Sequence, residues 1–402
     1  MEETESKYRQ IMNLTEKEKE LLLLVQKTKR INRRNLADSL NITPSKTYRM
    51  IETMVSRKMI LTLKDSEESS VGRPCDIISL NPSYAFFFSI CIRRFCFRTA
   101  IIGFNSEIIE QECFLCDEKT SPNQLRDLCL SSYKRLIKNN LIKESDLIGT
   151  LISSFNTEPV TKGMNSHPGL NWQGVDDIKL FFSEVFSGVV FSSNVSLAAA
   201  CEQYYSYFFN ECNNLAYIIL DEGIGIGYII DKRIARKSMQ NVNCLAHMVV
   251  DINGPKCFCG QHGCLETLAS ETAILEKARE KLIIRGSGVL YEKADCLRIE
   301  DICDAAEQGD ALARDCLEDA ACILAIGIEN FLNIFRLEVI VLSGNIICNS
   351  HFFYDSLVSR LHSRHPQLIV ISDNQELESA LQGITKLYFN ELLHGEIEDK
   401  TN

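Results

Sequence analysis

Cys257-Phe258-Cys259-Gly260-Gln261-His262-Gly263-Cys264-Leu265-Glu266, with His247 ten residues ahead of its first thiol, is the stretch on which the reading of this chain turns. Three thiols at spacings of two and five, with two glycines between them, describe a knuckle that doubles back on itself. Gly260 and Gly263 are free to take positive φ, which lets the sulfurs converge on one point. With the upstream imidazole the set is His247, Cys257, Cys259 and Cys264, the closed tetrahedral Cys3His arrangement that holds structural zinc. No position is left open for water, so the metal is expected to brace a loop and to take no part in chemistry. The chain holds 17 cysteines, so scattered thiols are the competing explanation. The Cys-x-Cys-Gly-x-x-Gly-Cys spacing is hard to reach by accident.

Around the knuckle lies a chain of 402 residues, 24% charged and 45% hydrophobic, ordinary for a soluble globular protein of two or three domains. No apolar run approaches the ~18–20 residues of a membrane span, and the opening Met-Glu-Glu-Thr-Glu-Ser-Lys is too acidic for a secretory signal. An odd number of cysteines without such a signal leads us to expect reduced thiols and a cytoplasmic protein. Net charge is −11, unevenly spread. Between Lys27 and Lys64 there are ten basic residues and two acids, Asp38 and Glu52. A basic island on an acidic protein points to nucleic acid at one end of the chain.

That island coincides with a recognisable run of elements. Thr15-Glu-Lys-Glu18 has the form of a capping box opening the apolar run Leu21–Val25. Asn35–Leu40 reads as a second, short helix. Asn41-Ile42-Thr43-Pro44 is a turn, with Thr43 as N-cap and Pro44 at the first helical position. The next helix, from Ser45 to Lys58, is expected to turn Tyr48, Ile51, Met54 and Val55 to the core and Ser45, Lys46, Thr47 and Arg49 outward. Ile60–Leu63 and Ile77–Leu80 alternate like the two strands of a wing. Between them lies Gly72-Arg73-Pro74, whose extended arginine suits a narrow minor groove. This is winged helix-turn-helix organisation. The expected DNA contacts are Arg33, Arg34, Ser45, Lys46, Thr47, Arg49 and Arg73, on a double-stranded operator.

From Tyr84 the pattern changes to alternating strands and helices with no low-complexity linker. Strands are expected at Phe86–Ile92, Arg98–Phe104, Leu147–Phe155, Val189–Phe191, Tyr217–Leu220, Gly227–Ile230 and Val339–Leu342. Helices are expected at Leu125–Asn139, Ser196–Phe209 and Ala311–Phe335. The alternation predicts α/β layers. Gly223-x-Gly225-x-Gly227 reads as a glycine-rich turn, either phosphate-binding or structural, and Asp221 and Glu222 beside it would repel an anion.

Taken together, the knuckle with His247, the helix-turn-helix, Gly72-Arg73-Pro74 and the late strand ending at Ser343-Gly344-Asn345 resemble the ROK family of repressors, open reading frames and sugar kinases. The resemblance implies an actin-like, hexokinase-like two-lobed fold over 83–402, preceded by a winged helix-turn-helix domain and linker over 1–82. It implies a sugar-responsive transcriptional repressor that binds zinc and acts as a homo-dimer or higher homo-oligomer. The sugar contacts it implies are Asn194, His247 and Glu266.

Where family kinases carry an Asp-x-Gly-Gly-Thr phosphate loop, this chain reads Cys91-Ile92-Arg93-Arg94-Phe95, without the tight glycine turn that brings backbone N–H groups to phosphates. The family's catalytic Asn-Asp pair aligns with Ser193-Asn194, and an amide cannot take a sugar hydroxyl's proton. The Glu of Glu-x-Gly-His aligns with Cys244, a thiol also within reach of the zinc set. The expectation is a catalytically inactive, kinase-like regulator of carbohydrate metabolism. The alternative is a sugar kinase, for a hexose or N-acetylhexosamine, with an N-terminal extension.

Overall fold

The computed structural model describes residues 2–64, 76–117, 119–155, 175, 177–234 and 245–394. It opens with α1 (Glu2–Met12), α2 (Glu16–Thr28), β1 (Ile31–Asn32), α3 (Arg33–Leu40), α4 (Pro44–Ser56), β2 (Ile60–Lys64) and β3 (Asp76–Leu80). Thr15 and Glu18 close a reciprocal capping box on α2, satisfying two N–H groups that a helix start leaves without partners. The Asn32 side chain accepts from Asn35 N at 2.8 Å and so starts α3, while Pro44 opens α4. The three strands form an antiparallel sheet in the order β1-β3-β2. Gly72-Arg73-Pro74 lies outside the described residues.

On α4 the buried stripe differs from the expected one. Thr47 is 1% exposed, and Tyr48, expected in the core, is 50% exposed. At ~100° per residue, Thr47 lies four positions before Ile51 and falls on the same side as Met54, whereas Tyr48 is carried to the flank. A threonine completes the core face, its hydroxyl donating to Thr43 O at 3.1 Å.

The body follows as two lobes of the same topology. The first holds β4 (Phe86–Ile92), β5 (Cys96–Gly103), β6 (Ile108–Leu115), α5 (Pro122–Asn139), β7 (Leu147–Ser154), α6 (Ile178–Ser183), β8 (Val189–Asn194) and α7 (Val195–Gln203). The second holds β9 (Leu215–Leu220), β10 (Ile224–Ile230), β11 (Arg233–Ile234), α8 (Glu266–Ala269), α9 (Glu271–Arg285), α10 (Val289–Glu292), α11 (Ile299–Glu307), α12 (Ala311–Ile334), β12 (Val339–Ser343), α13 (Asn345–Asn349), α14 (His351–Arg364) and β13 (Ile369–Ser372), after which α15 (Glu376–His394) returns to pack on the first lobe's sheet. The sheets run β6-β5-β4-β7-β8 and β11-β10-β9-β12-β13. In each, three strands pair antiparallel and the last two join in parallel.

Helices α7 and α15 lie between the sheets, in one apolar interior with Phe87 and Leu151 from one and Tyr217 and Val341 from the other. A Cβ at Gly383 would stand 1.8 Å from Ala198 O, so the two helices meet that closely because α15 has a glycine there. Gly225 and Gly227 belong to β10 and not to a turn, which corrects the glycine-turn expectation. A Cβ at Gly227 would lie 2.2 Å from Ser196 O, so these glycines admit α7 onto the strand. Helix α7 also stops at Gln203, short of the expected Phe209, and passes into one wider π-type turn over Tyr204–Phe208.

The apolar interior of the N-terminal segment runs without a break into the first lobe, from Ile11, Leu21 and Val25 to Phe104 and Phe389. Gln26 Nε2 donates to Ser106 Oγ at 3.2 Å, and Lys27 Nζ stands 5.2 Å from the Tyr205 ring centre. Among the described residues no helix is long and apolar enough to cross a membrane.

Candidate functional site

The knuckle folds much as its glycines require. Gly260 and Gly263 take φ of 93° and 65°. A Cβ at Gly263 would come within 1.5 Å of Asp251 O, so no other residue fits. Backbone bonds from Cys257 N to Gln261 O (2.8 Å) and from Gly263 N to Pro255 O (2.8 Å) fold the loop back. Val250 N to Gly263 O and Leu265 N to Met248 O tie it to the segment bearing His247. His247 Nδ1 then lies 3.5 Å from Cys257 Sγ, and Cys259 Sγ lies 3.6 Å from Cys264 Sγ. All four donor atoms fall within 4.8 Å of one another. Zinc–sulfur bonds of about 2.3 Å set tetrahedral edges of roughly 3.8 Å, so one small tetrahedral cation fits among them. Cys244 lies outside the described residues.

Glu266 follows at the start of α8. It is buried, and its Oε2 accepts from Ile224 N at 3.0 Å. Asn194, also buried, caps α7 by accepting from Ser196 N at 2.8 Å. Glu266 thus reaches the start of β10, and Ser196, two residues after Asn194, stands against the same strand, for a Cβ at Gly225 would meet Ser196 Oγ at 2.4 Å and Phe155 Cε1 at 3.1 Å. Among the described residues the buried hydroxyls of Ser154 and Ser196 have no hydrogen-bond partner. Ser154 pairs with Asn194 across the β7–β8 ladder, so hydroxyls and an amide gather at the strand ends. His247, by contrast, is turned into the metal cluster, its ring edge-on to Phe258 at 4.9 Å.

Across from this polar wall, the phosphate-loop position is filled by charge. Arg93, at the end of β4, forms ion pairs with Asp221 of the β9–β10 turn and with Glu376 at the head of α15. Its guanidinium also covers the Phe155 ring at 4.6 Å. Arg94 faces Glu222 at 4.0 Å, and Arg98 pairs with Glu378. The cavity left among these residues, Ser343 and Asn345 is about 240 Å³, below the ~300–1,000 Å³ of ordinary small-molecule pockets. Glu271 stands nearby and accepts from Asn345 Nδ2 at 3.2 Å. Burial, and then the neighbouring Glu222 carboxylate, pushes its carboxyl up to about 7.

A family model described as the ROK family matches residues 91–387. The chain belongs to the ROK family. Among similar proteins is the xylose repressor of Bacillus spizizenii, 27% identical over 353 residues that cover 87% of this chain and 88% of that one. The DNA-binding transcriptional dual regulator NagC of Escherichia coli is 26% identical over 322 residues, 79% of this chain and 77% of its own. Two solved structures share the fold. One is a ROK family transcriptional regulator described as a homolog of the E. coli MLC protein, with TM-score 0.74 and 21% identity over 97% of this chain and 99% of that one. The other is a ROK glucokinase from Streptomyces griseus in complex with glucose and AMPPNP, with TM-score 0.61 and 18% identity over 75% and 99%. The two-lobed body is thus the ROK fold of kinases and regulators alike.

The expected DNA contacts fall into four groups. Ser45, Lys46, Arg34 and Arg49 are exposed, with Lys46 and Arg49 on the outward side of α4. Arg33 is half-buried, pairs with Asp76 at 2.9 Å and covers the Tyr48 ring at 5.1 Å. Thr47 is withdrawn into the core and cannot reach a base edge; it is a correction to the expected set. Arg73 lies outside the described residues. Reading of the residues missed Tyr48 as a surface aromatic, and missed the partners of Arg93. A helical-wheel count centred on Ile51 would have exposed the first; nothing local signals the second.

Proposed function

We propose that the protein is a sugar-responsive, DNA-binding transcriptional repressor of carbohydrate metabolism whose kinase-like body performs no phosphoryl transfer. The observation that carries the reading is the similarity to named repressors across 87% of the chain, combined with arginines where a kinase needs a phosphate loop. In this reading residues 1–82 are the winged helix-turn-helix domain and linker, and 83–402 are the effector-binding body. The leading end of α4 enters the major groove with Ser45, Lys46 and Arg49, while Arg34 neutralises phosphate. Two copies bind half-sites about one helical turn apart. The cation at His247, Cys257, Cys259 and Cys264 is zinc, which braces the loop leading to Glu266. Asn194, Glu266 and the buried hydroxyls of Ser154 and Ser196 meet a sugar's hydroxyl groups, with His247 contributing through the metal-ordered loop.

A kinase is the weaker reading on two counts. Asn194 supplies no carboxylate base, and Asp221 and Glu222 face the space that nucleotide phosphates would need. Selection of genomic fragments by the purified protein tests the proposal. The expected result is one preferred sequence, bound with steep salt dependence. Lys46→Ala and Arg49→Ala are each expected to weaken binding and lower the salt slope by about one. Fragments recovered without any sequence preference would refute the reading. A thermal-shift screen including D-xylose and N-acetylglucosamine then identifies the effector class.

A further inference from the structure

Arg93 does more than spoil a phosphate site. It is largely buried at the end of β4 in the first lobe; Asp221 belongs to the second lobe, and Glu376 stands at the head of α15, where the chain passes from β13 of the second lobe onto the first lobe's sheet. Asp221 pairs with it through Oδ2, while Asp221 Oδ1 accepts from Asn345 N at 2.7 Å. Glu376 pairs with it through Oε1, while Glu376 Oε2 takes the Ser343 hydroxyl at 3.4 Å. Ser343 also donates to Asp373 O, and the Asp373 carboxylate gathers Tyr217, Gln203 and Ser379 at 2.7–3.0 Å. One guanidinium therefore joins the end of β4 to the β9–β10 turn, to β12 and to the head of α15.

We propose that Arg93, Asp221 and Glu376 form a built-in interlobe clamp that holds the cleft closed with no nucleotide bound. A phosphate loop wraps an anion with N–H groups and needs the ligand to complete it. Here the cation is covalently part of the first lobe, Asp221 is part of the second, and Glu376 sits at the junction where α15 leaves β13 and takes the Ser343 hydroxyl of β12, so the contact is complete in the chain itself. Arg94–Glu222 crosses the same seam with the same polarity, while Arg98–Glu378 ties the head of α15 to β5 within the first lobe. Burial of the pair keeps it from being screened away by salt, as an exposed pair would be. The effector then acts on a body whose lobes are already joined at this end, and its signal is carried by the opposite, polar wall at Asn194 and Glu266.

The clamp rests on the reading of a body without phosphoryl transfer, and its test is independent of DNA binding. Amide hydrogen exchange is measured on the full-length, metal-loaded protein, with far-UV circular dichroism as a check on folding. Two variants are compared, Arg93→Met and the near-isosteric double substitution Asp221→Asn with Glu376→Gln. Expected is exchange at least tenfold faster over residues 220–224 and 376–380 in both, with residues 257–266 and α2 unchanged. Exchange within twofold of the unmodified protein at those sites overturns the clamp. So does an increase spread evenly through the knuckle and α2, which would mean a loss of general stability. Should Arg93→Met fail to fold, the double variant decides alone. Nucleotide turnover by the unmodified protein would instead defeat the proposed function, leaving the exchange result to speak for the clamp.

Discussion

The knuckle and the cleft bear on the same hairpin, β9–β10, and they hold it by opposite means. On one side four donors drawn from an 18-residue span converge through glycine turns, and Glu266, two residues beyond the last of them, reaches Ile224 N. On the other side Asp221, at the hairpin's turn, is held by Arg93 from a different lobe. The knuckle's donors come from one short span and meet through their own turns. The cleft is filled from within, arginines of the first lobe standing against carboxylates at the β9–β10 turn and at the head of α15. Glu271 links the two sides, its N donating to Asp221 O and its carboxylate accepting from Asn345 Nδ2.

The largest expected effect tests whether the knuckle is as self-contained as that contrast requires. Cys264 is fully buried, and Cys264→Ser replaces a thiolate donor by a hydroxyl that binds zinc far more weakly. The metal content, measured by atomic absorption, is expected to fall from one zinc per chain to nearly none. Stability is expected to drop by more than about 4 kcal/mol, the range that loss of a metal reaches. Faster exchange should be confined to residues 246–266 and the start of β10. If the Arg93 seam loosens equally, the two walls are coupled and the contrast fails.

The same contrast explains what could be read in the residues. The knuckle's donors are close in sequence, so spacing and glycine placement were enough to assemble all four. The helices of the N-terminal segment were legible for the same reason, through the Thr15–Glu18 box and Pro44. Thr47 and Tyr48 exchanged places because a stripe of four residues fits two helical faces about 60° apart, and a polar threonine was not expected at a core position. The Arg93 clamp was not legible. Positions 93, 221 and 376 are brought together by the closing of two sheets around α7 and α15, and neither charge nor spacing announces such a meeting. Gly225 and Gly227 looked like a turn because a strand that admits a helix at backbone distance uses the same residue.

A smaller effect probes the acidic side of the cleft. The Glu271 carboxyl is raised to about 7 by burial first and by Glu222 next, so the folded protein holds a proton there that the unfolded chain, with an ordinary carboxyl, has already released. Stability contributed at this site is therefore full below about pH 4.5 and is lost as pH rises to about 7. Glu271→Gln keeps an acceptor for Asn345 and removes the penalty. It is expected to stabilise the protein by roughly 1–3 kcal/mol at pH 8 and hardly at all at pH 4.5. The measurement is the difference between variant and unmodified protein by denaturant titration at each pH, in which the knuckle's own pH dependence cancels. An equal gain at both pH values would show that the site's charge is not what the cleft pays to keep.

The smallest effect is an expected near-zero, and it bears hardest on how the cleft lost its chemistry. Asn194→Asp restores a carboxylate at the position of the family's catalytic base. Asp caps a helix as well as Asn does and the bond to Ser196 N is retained, while burial of the new carboxylate is expected to cost about 1–3 kcal/mol at pH 8, so the fold is kept. A coupled assay of MgATP turnover over common hexoses and N-acetylhexosamines is nevertheless expected to read background. The base is one requirement of phosphoryl transfer; a cradle for the phosphates is another. That cradle is absent while Cys91–Phe95 lacks its glycines and Asp221 and Glu222 face the anion. Turnover rising well above background in this single variant would show that the seam opens to nucleotide after all. The loss of activity would then belong to one residue of the polar wall, Asn194, and not to the arginines opposite it.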